Sequence, residues 1–312
     1  MEREKGRPTK SALLSVITNP GLMRMQVALS KLMPGEKLPG IMSRFFTSEP
    51  PQVQKPRPQP RQSFPPLDSS TLPPIRGKVL MLEGCVMRVL FDPVNEATRR
   101  LLRRIGFEVE AIDLGCCGAL HAHNGQLEAA KSLASQLQSR ATGDLPIVVN
   151  SAGCGSTMKE YRHLDPSLQA VGERVFDASE FLFQNGLLEL LETAPGLPGQ
   201  VATYHDACHL AHGQGIREEP RKLISAIPGL KLVEMDEADT CCGSAGIYNV
   251  LQPTMARTLL ERKYAHIEAT GANVVVTGNP GCHAWIAQAA SEHGKKLEVL
   301  HTIELLERAL LR

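Results

Sequence analysis

Beyond residue 76, apolar positions fall in short runs separated by longer stretches whose hydrophobic residues recur every three or four positions. The runs at 79–82, 108–112, 147–149, 201–204, 231–235 and 274–277 predict strands. Between them, Leu127, Ala130, Ala134 and Leu137 keep helical spacing, as do Met255, Leu259, Arg262 and His266 with their neighbours. Strands alternating with helices predict parallel sheets joined by right-handed crossovers, an α/β fold class. Upstream, 11–18 and 20–33 predict two short amphipathic helices, with Asn19 capping the second and Pro20 at its first position. Leu22, Met25, Leu29 and Leu32 share one face, which is expected to pack on a partner domain; a basic amphipathic arm also permits peripheral membrane contact. Nine prolines among the 25 residues 50–74 exclude helix and interior strand there and predict an extended linker.

The pattern occurs twice. One half reads strand, Gly84-Cys85, helix, strand, Gly115-Cys116-Cys117-Gly118, helix, strand, Gly153-Cys154. The other reads strand, Cys208, helix, strand, Cys241-Cys242-Gly243, helix, strand, Gly281-Cys282. Corresponding cysteines stand 123, 125 and 128 positions apart, so one unit has been duplicated and no cysteine is left over. The expected organisation is a basic helical arm (1–48), a Pro-rich linker (49–76), and two cysteine-rich domains (77–199 and 200–312).

Composition sharpens this picture only in places. The chain has 34 Lys and Arg against 33 Asp and Glu, a balance that does not point to nucleic acid as a partner. The average conceals a basic front end, with eleven basic and four acidic residues in 1–62. No run of about 20 apolar residues predicts a membrane-spanning helix, and the polar opening lacks the apolar core of a secretory signal. The chain is therefore expected in the cytoplasm, at the inner face of the membrane if the arm touches one. In a reducing compartment, cysteines at repeated spacings act as metal ligands or redox groups rather than disulfides.

Loops at the carboxyl ends of parallel strands converge on one edge of the sheet, where such folds bind ligands. Each cysteine group follows a predicted strand, so three loops would gather Cys85, Cys116, Cys117 and Cys154 at one site, and Cys208, Cys241, Cys242 and Cys282 at the other. Four thiolates suit a 4Fe-4S cluster or a tetrahedral zinc ion. Neighbouring side chains of an extended chain point apart, so Cys116 and Cys117 can share a centre only if the backbone turns, which Gly115 and Gly118 allow, as does Gly243 after Cys241-Cys242. Cysteines serving merely as small apolar residues would produce neither adjacent pairs nor the same pattern twice. The wide ligand separations disfavour a compact zinc knuckle but are compatible with zinc in one of the two sites.

These residues carry a resemblance. Leu82-Glu83-Gly84-Cys85, Gly115-Cys116-Cys117-Gly118-Ala119 and Ser151-Ala152-Gly153-Cys154-Gly155 resemble the first cysteine-rich CCG domain of the glycolate oxidase iron-sulfur subunit family. His205-Asp206-Ala207-Cys208-His209-Leu210, Cys241-Cys242-Gly243-Ser244-Ala245-Gly246-Ile247-Tyr248 and Asn279-Pro280-Gly281-Cys282 resemble the second. The similarity runs from about Gly77 to the end and includes Lys159-Glu160-Tyr161 and Thr302-Ile303-Glu304-Leu305-Leu306. Heterodisulfide reductase and lactate-utilisation proteins are similar but more distant. The resemblance implies two duplicated Rossmann-like domains holding one or two 4Fe-4S clusters. It also implies a non-catalytic electron-transfer role beside a flavin-containing dehydrogenase subunit that oxidises a 2-hydroxy acid, with electrons passing on to a quinone or another carrier.

Two departures qualify it. Family members usually begin with a ferredoxin-like module carrying two cysteine quartets, whereas this chain has no cysteine before Cys85. The expectation is that such a module is a separate ferredoxin-like protein, is lost, or lies upstream of the assigned start. Heterodisulfide reductase relatives also end each motif with Cys-x-x-Cys, giving a fifth ligand for a non-cubane cluster. Here Thr157 and Trp285 occupy that final position, so a four-thiolate cluster is the simpler expectation.

The remaining polar residues near the cysteines have plainer expected roles. His205 and His209 flank Cys208 and are expected to orient its loop rather than ligate, since a full thiolate set is present. His121 and His123 are expected to be loop histidines, Asp206 to cap the helix after Cys208 and Tyr248 to pack in the core. No Gly-Lys-Ser/Thr or full G-x-G-x-x-G opens a helix, so nucleotide binding is not expected. Two other readings remain open: a zinc-stapled docking subunit, and thiol-disulfide chemistry at a CCG pair.

Overall fold

Parallel strand pairing divides the chain after residue 76 into two sheets of the same design. The computed structural model describes residues 10–32, 64–294 and 296–311. Expectations for 1–9 and 33–63, including the end of the second arm helix and the first half of the linker, fall outside the described residues. The strands are β1 (Gly77–Leu82), β2 (Phe107–Ala111), β3 (Ile147–Val149) and β4 (Val175–Asp177), then β5 (Val201–Tyr204), β6 (Lys231–Leu232), β7 (Val274–Thr277) and β8 (Glu298–His301). Their orders are β2-β1-β3-β4 and β6-β5-β7-β8, parallel throughout, with Leu82 opposite Val149 and Tyr204 opposite Val276. From its central first strand each half moves one way to the second strand and the other way to the third. The carboxyl ends of β1 and β3, and of β5 and β7, are thus switch points where a crevice opens.

The six expected strands are present, β6 in shortened form, and the fold is α/β with two repeated units. β4 and β8 were not among the expected strands. They are three and four residues long and run directly into helices, too short for a period-two signal to register. On the helix Leu127–Arg140 the buried face is Ala130, Ala134 and Leu137, while Leu127 is exposed. On Pro253–Ala269 the buried face is Ala256, Leu260, Lys263, Tyr264 and Ile267, one position round from the expected stripe, and Met255 faces solvent. Lys263 misleads the pattern because its stem is buried while its ammonium donates to the carbonyls of Glu237 and Ala238.

One face of each sheet has its own core. Leu80, Leu82, Ile112 and Val149 belong to the first, Ile216, Leu260, Val275 and Ile286 to the second. The opposite faces share a third core, in which Val79, Leu101, Phe181 and Leu182 meet Tyr204, Leu223, Val276, Ile303 and Leu306. The contacts are reciprocal: the helix Asp92–Arg104 packs on Thr302–Ala309, and Ala178–Gln184 packs on Glu218–Ser225, which pairs equivalent helices crosswise as in an isologous dimer. Glu307, wholly buried at this junction, accepts from Arg100 (2.6 Å) and Arg104 (3.0 Å). The duplicated unit thus behaves as a dimer joined in one chain.

The arm forms the helices Lys10–Ile17 and Pro20–Leu32, and Asn19 caps the second by accepting from the N–H groups of Gly21 and Leu22. The expected apolar face does not pack at its start: Leu22 and Met25 are exposed, whereas Met23, Leu13 and Leu14 are buried. Leu13 and Leu14 contact Ile247, with Leu120 and Val250 alongside, so the arm lies across loops of both halves. The described part of the linker is held to the first half, with Arg100 and Arg103 donating to the carbonyls of Pro65 and Pro73. No helix among the described residues is long and apolar enough to cross a membrane.

Candidate metal centres

The cysteines occupy equivalent places in the two halves. Cys85 and Cys208 open the helices Cys85–Leu90 and Cys208–Ala211 directly after β1 and β5. Cys154 and Cys282 sit in the first turns of Ala152–Lys159 and Pro280–Glu292, after β3 and β7. The adjacent pairs lie in the loops that follow β2 and β6. Those loops need glycine: Gly118 and Gly243 have φ of +86° and +90°. A Cβ there would meet the Ala130 carbonyl at 3.0 Å and the Ala256 carbonyl at 2.4 Å, so side-chain-free backbone lets the next helix press against the turn. Each turn aims an N–H at sulfur, Gly118 at Cys116 Sγ (3.4 Å) and Gly243 at Cys241 Sγ (3.3 Å).

The structure brings each predicted quartet together as a row of interacting thiols. Cys85 adjoins Cys116, which adjoins Cys117, which adjoins Cys154; in the other half the order is Cys208, Cys241, Cys242, Cys282. All eight are free thiols. Charge alternates along each row. Hydrogen bonds from Cys117 and Cys85 lower Cys116 to about 3, and the bond from Cys117 lowers Cys154. Cys208 and Cys242 lower Cys241 to about 2, and Cys242 lowers Cys282 well below the usual thiol range. Cys85, Cys117, Cys208 and Cys242 are pushed up, first by the hydrogen bond each gives a neighbouring thiolate and then by burial. Two thiolates per row is what a buried site bears unaided, since four would repel one another in a low dielectric. A cationic centre removes that obstacle, and four convergent sulfurs are the donor set that a thiolate-ligated centre requires.

Supporting side chains repeat as well. Three positions before the third cysteine loop's ligand, Ser151 and Asn279 stand at the helix N-caps yet turn to sulfur. Ser151 hydrogen-bonds Cys154, and Asn279 Nδ2 donates to Cys282 Sγ (3.5 Å). Asn279 Oδ1 also accepts from Gly153 N–H (3.2 Å), so one amide joins the two sites. Two positions before the first cysteine, a carboxylate is clamped in each half: Glu83 by Arg88 (3.2 Å) and Arg99, Asp206 by both amino groups of Arg221 (2.8 and 2.6 Å). Asp206 therefore does not cap the following helix, whose N-cap is Ala207, because a two-pronged charge-assisted pair outcompetes one backbone N–H. Buried Tyr161 donates to the Cys117 carbonyl (2.6 Å) and fixes that loop. Sequence reading assigned no role to Ser151, Asn279, Glu83 or Arg221. Their equal distances from repeated cysteines were the available signal.

Other expected residues divide. His209 Nδ1 lies 3.7 Å from Cys208 Sγ, and its ring stacks on His123 of the other half at 4.7 Å. His123 Nε2 is 3.1 Å from Thr157 Oγ1, so the hydroxyl standing where heterodisulfide reductase relatives carry a cysteine is engaged by a histidine. His121 bonds Gln126 and Thr18 of the arm. Tyr248 is only half-buried. His205 is wholly buried, and it forms with Cys242 and Cys282 a group whose donor atoms all lie within 4.8 Å of one another, the one group of three found among the described residues.

Comparison with known proteins agrees with this arrangement. The family described as cysteine-rich domain (CCG) matches residues 79–159 and 202–287. The probable glycolate oxidase iron-sulfur subunit of Bacillus subtilis (strain 168) is 36% identical over 76% of this chain and 55% of its own length. The fumarate reductase (CoM/CoB) subunit of Methanothermobacter marburgensis is 34% identical over 72% of this chain and 45% of its own. Lactate utilization protein A of Geobacillus kaustophilus (strain HTA426) is 30% identical over 73% of this chain and 98% of its own. The chain thus spans about half the length of the first two relatives.

Proposed function

The chain belongs to the cysteine-rich CCG domain family, and from that premise we propose that it is an iron-sulfur electron-transfer subunit of a glycolate oxidase-like complex. The observation that carries this reading is the assembly of two equivalent thiol rows, each half ionised and supported by inward-facing N–H groups. Cys85, Cys116, Cys117 and Cys154 would hold one 4Fe-4S cluster, and Cys208, Cys241, Cys242 and Cys282 the other. Such a cluster supplies one-electron chemistry at a potential set by its ligands and surroundings. The protein's part is to fix eight sulfurs, to keep water from those on the core side and to hold the two sites against each other through Asn279. No three donors of the first quartet lie within the 4.8 Å span, whereas tetrahedral zinc with Zn–S of about 2.3 Å draws its sulfurs to about 3.8 Å. The partner is a flavin-containing dehydrogenase subunit acting on a 2-hydroxy acid, and a ferredoxin-like protein or segment joins the same chain of carriers.

Anaerobically purified protein is expected to be brown, with about four irons and four sulfides per site and an EPR signal on reduction. Colourless protein with stoichiometric zinc and no iron would sink the proposal. The close group of His205, Cys242 and Cys282 favours zinc as the second reading for that site alone, and metal analysis of a chain lacking the first quartet separates the two.

A further inference from the structure

The two sites are not alike. His205 is wholly enclosed, its backbone N–H bonded to the Val276 carbonyl, yet neither ring nitrogen has a hydrogen-bond partner among the described residues. A buried imidazole ordinarily satisfies at least one nitrogen, because desolvating both without compensation is unfavourable. What the ring does approach is sulfur, in its group with Cys242 and Cys282. Counted back from the first cysteine, the same place in the first half holds Leu82, an apolar core residue. His209, the other histidine beside Cys208, is by contrast engaged with Cys208 and His123.

We infer that His205 is a protein ligand of the second centre, which therefore has a mixed imidazole and thiolate donor set where the first has thiolates alone. This inference rests on the iron-sulfur reading of the quartets. Coordination would satisfy a ring nitrogen that the protein leaves bare, and imidazole ligation of iron-sulfur iron is established chemistry. A neutral donor differs from a thiolate in charge and basicity, so the two centres would differ in potential although their cysteine frames are copies.

The test uses the full chain carrying Cys117→Ser, which removes the first centre, grown with ordinary or 15N-labelled histidine and reduced anaerobically. Pulsed EPR is expected to show a directly coupled nitrogen that changes pattern with the label. The coupling should persist in His209→Gln and vanish in His205→Leu, which copies the first half, and in His205→Gln. In the chain with both centres, the His205 variants should shift the midpoint potential of one signal and leave the other in place. Iron and sulfide at the second centre with no histidine coupling would overturn His205 as ligand while leaving the cluster reading intact, as would coupling lost in His209→Gln and kept in His205→Leu. Absence of iron and sulfide, measured first, would overturn the cluster reading itself. The labelled Cys117→Ser chain retains His205, so the result does not depend on the His205 variants folding.

Discussion

The first and second halves are two solutions to one problem, gathering four thiols at the switch point of a small parallel sheet. Their frames agree closely: strand order, turn glycines, clamped carboxylate and capped closing helix all repeat. Their linings do not. The first half places Leu82 where the second places His205, Ser151 where the second places Asn279, and Asp177 where the second places His301. Duplication preserved what folds the unit and let the residues around sulfur diverge, as expected if two centres of different character work in sequence.

The strongest way to break this comparison is to remove one centre at a time. Cys117→Ser and Cys242→Ser should each lose half the iron and sulfide and one EPR signal, with the other retained. Loss of everything from either variant would mean that the halves share a single centre.

Next in size are the clamps. Asp206 is almost wholly enclosed, so Asp206→Ala strands Arg221 and should cost about 3–5 kcal/mol in urea unfolding. Glu83→Ala should cost visibly less, because Glu83 and its arginines are more exposed and screened. Equal losses would contradict the difference in burial.

The turn glycines sharpen the comparison further. Gly243→Ala and Gly118→Ala both force an L residue to positive φ, for about 1–3 kcal/mol. Gly243→Ala adds the closer clash with the Ala256 carbonyl and should be the worse of the two, in stability and in iron retained.

The smallest expected effect concerns the caps of the closing helices, whose pH dependences have opposite sign. Burial raises Asp177 to about 6, above the ordinary carboxyl value. Its contribution is therefore present below pH 4 and lost as pH rises through 6. Burial, with His283 nearby, lowers His301 to about 3. The neutral ring accepts from Ile303 N–H, so its contribution is present above pH 6.5 and lost as pH falls, about 2 kcal/mol by pH 5. Unfolding of the parent against His301→Asn at pH 5 and 7 should show that gap closing in the variant, and Asp177→Asn should change the slope the other way.

Much of this was legible along the chain. Six strands, the repeat and the membership of both quartets follow from short apolar runs, glycines and cysteine offsets, all local signals. β4 and β8 escaped because three or four residues carry no period. The packing face of Pro253–Ala269 escaped because Lys263 buries its stem. Leu22 and Met25 marked a face that the arm does not bury, since Leu13, Leu14 and Met23 make its contacts.

The sequence by itself determined an α/β protein with a duplicated cysteine frame, because periodicity and spacing are one-dimensional properties that survive in a string of letters. The tertiary structure alone decided that the halves share a core, that equivalent helices pair crosswise, that Asn279 joins the sites and that His205 reaches sulfur. Such features arise between side chains far apart in sequence, and their energies exist only once packing has excluded water and brought the partners within hydrogen-bond or coordination range.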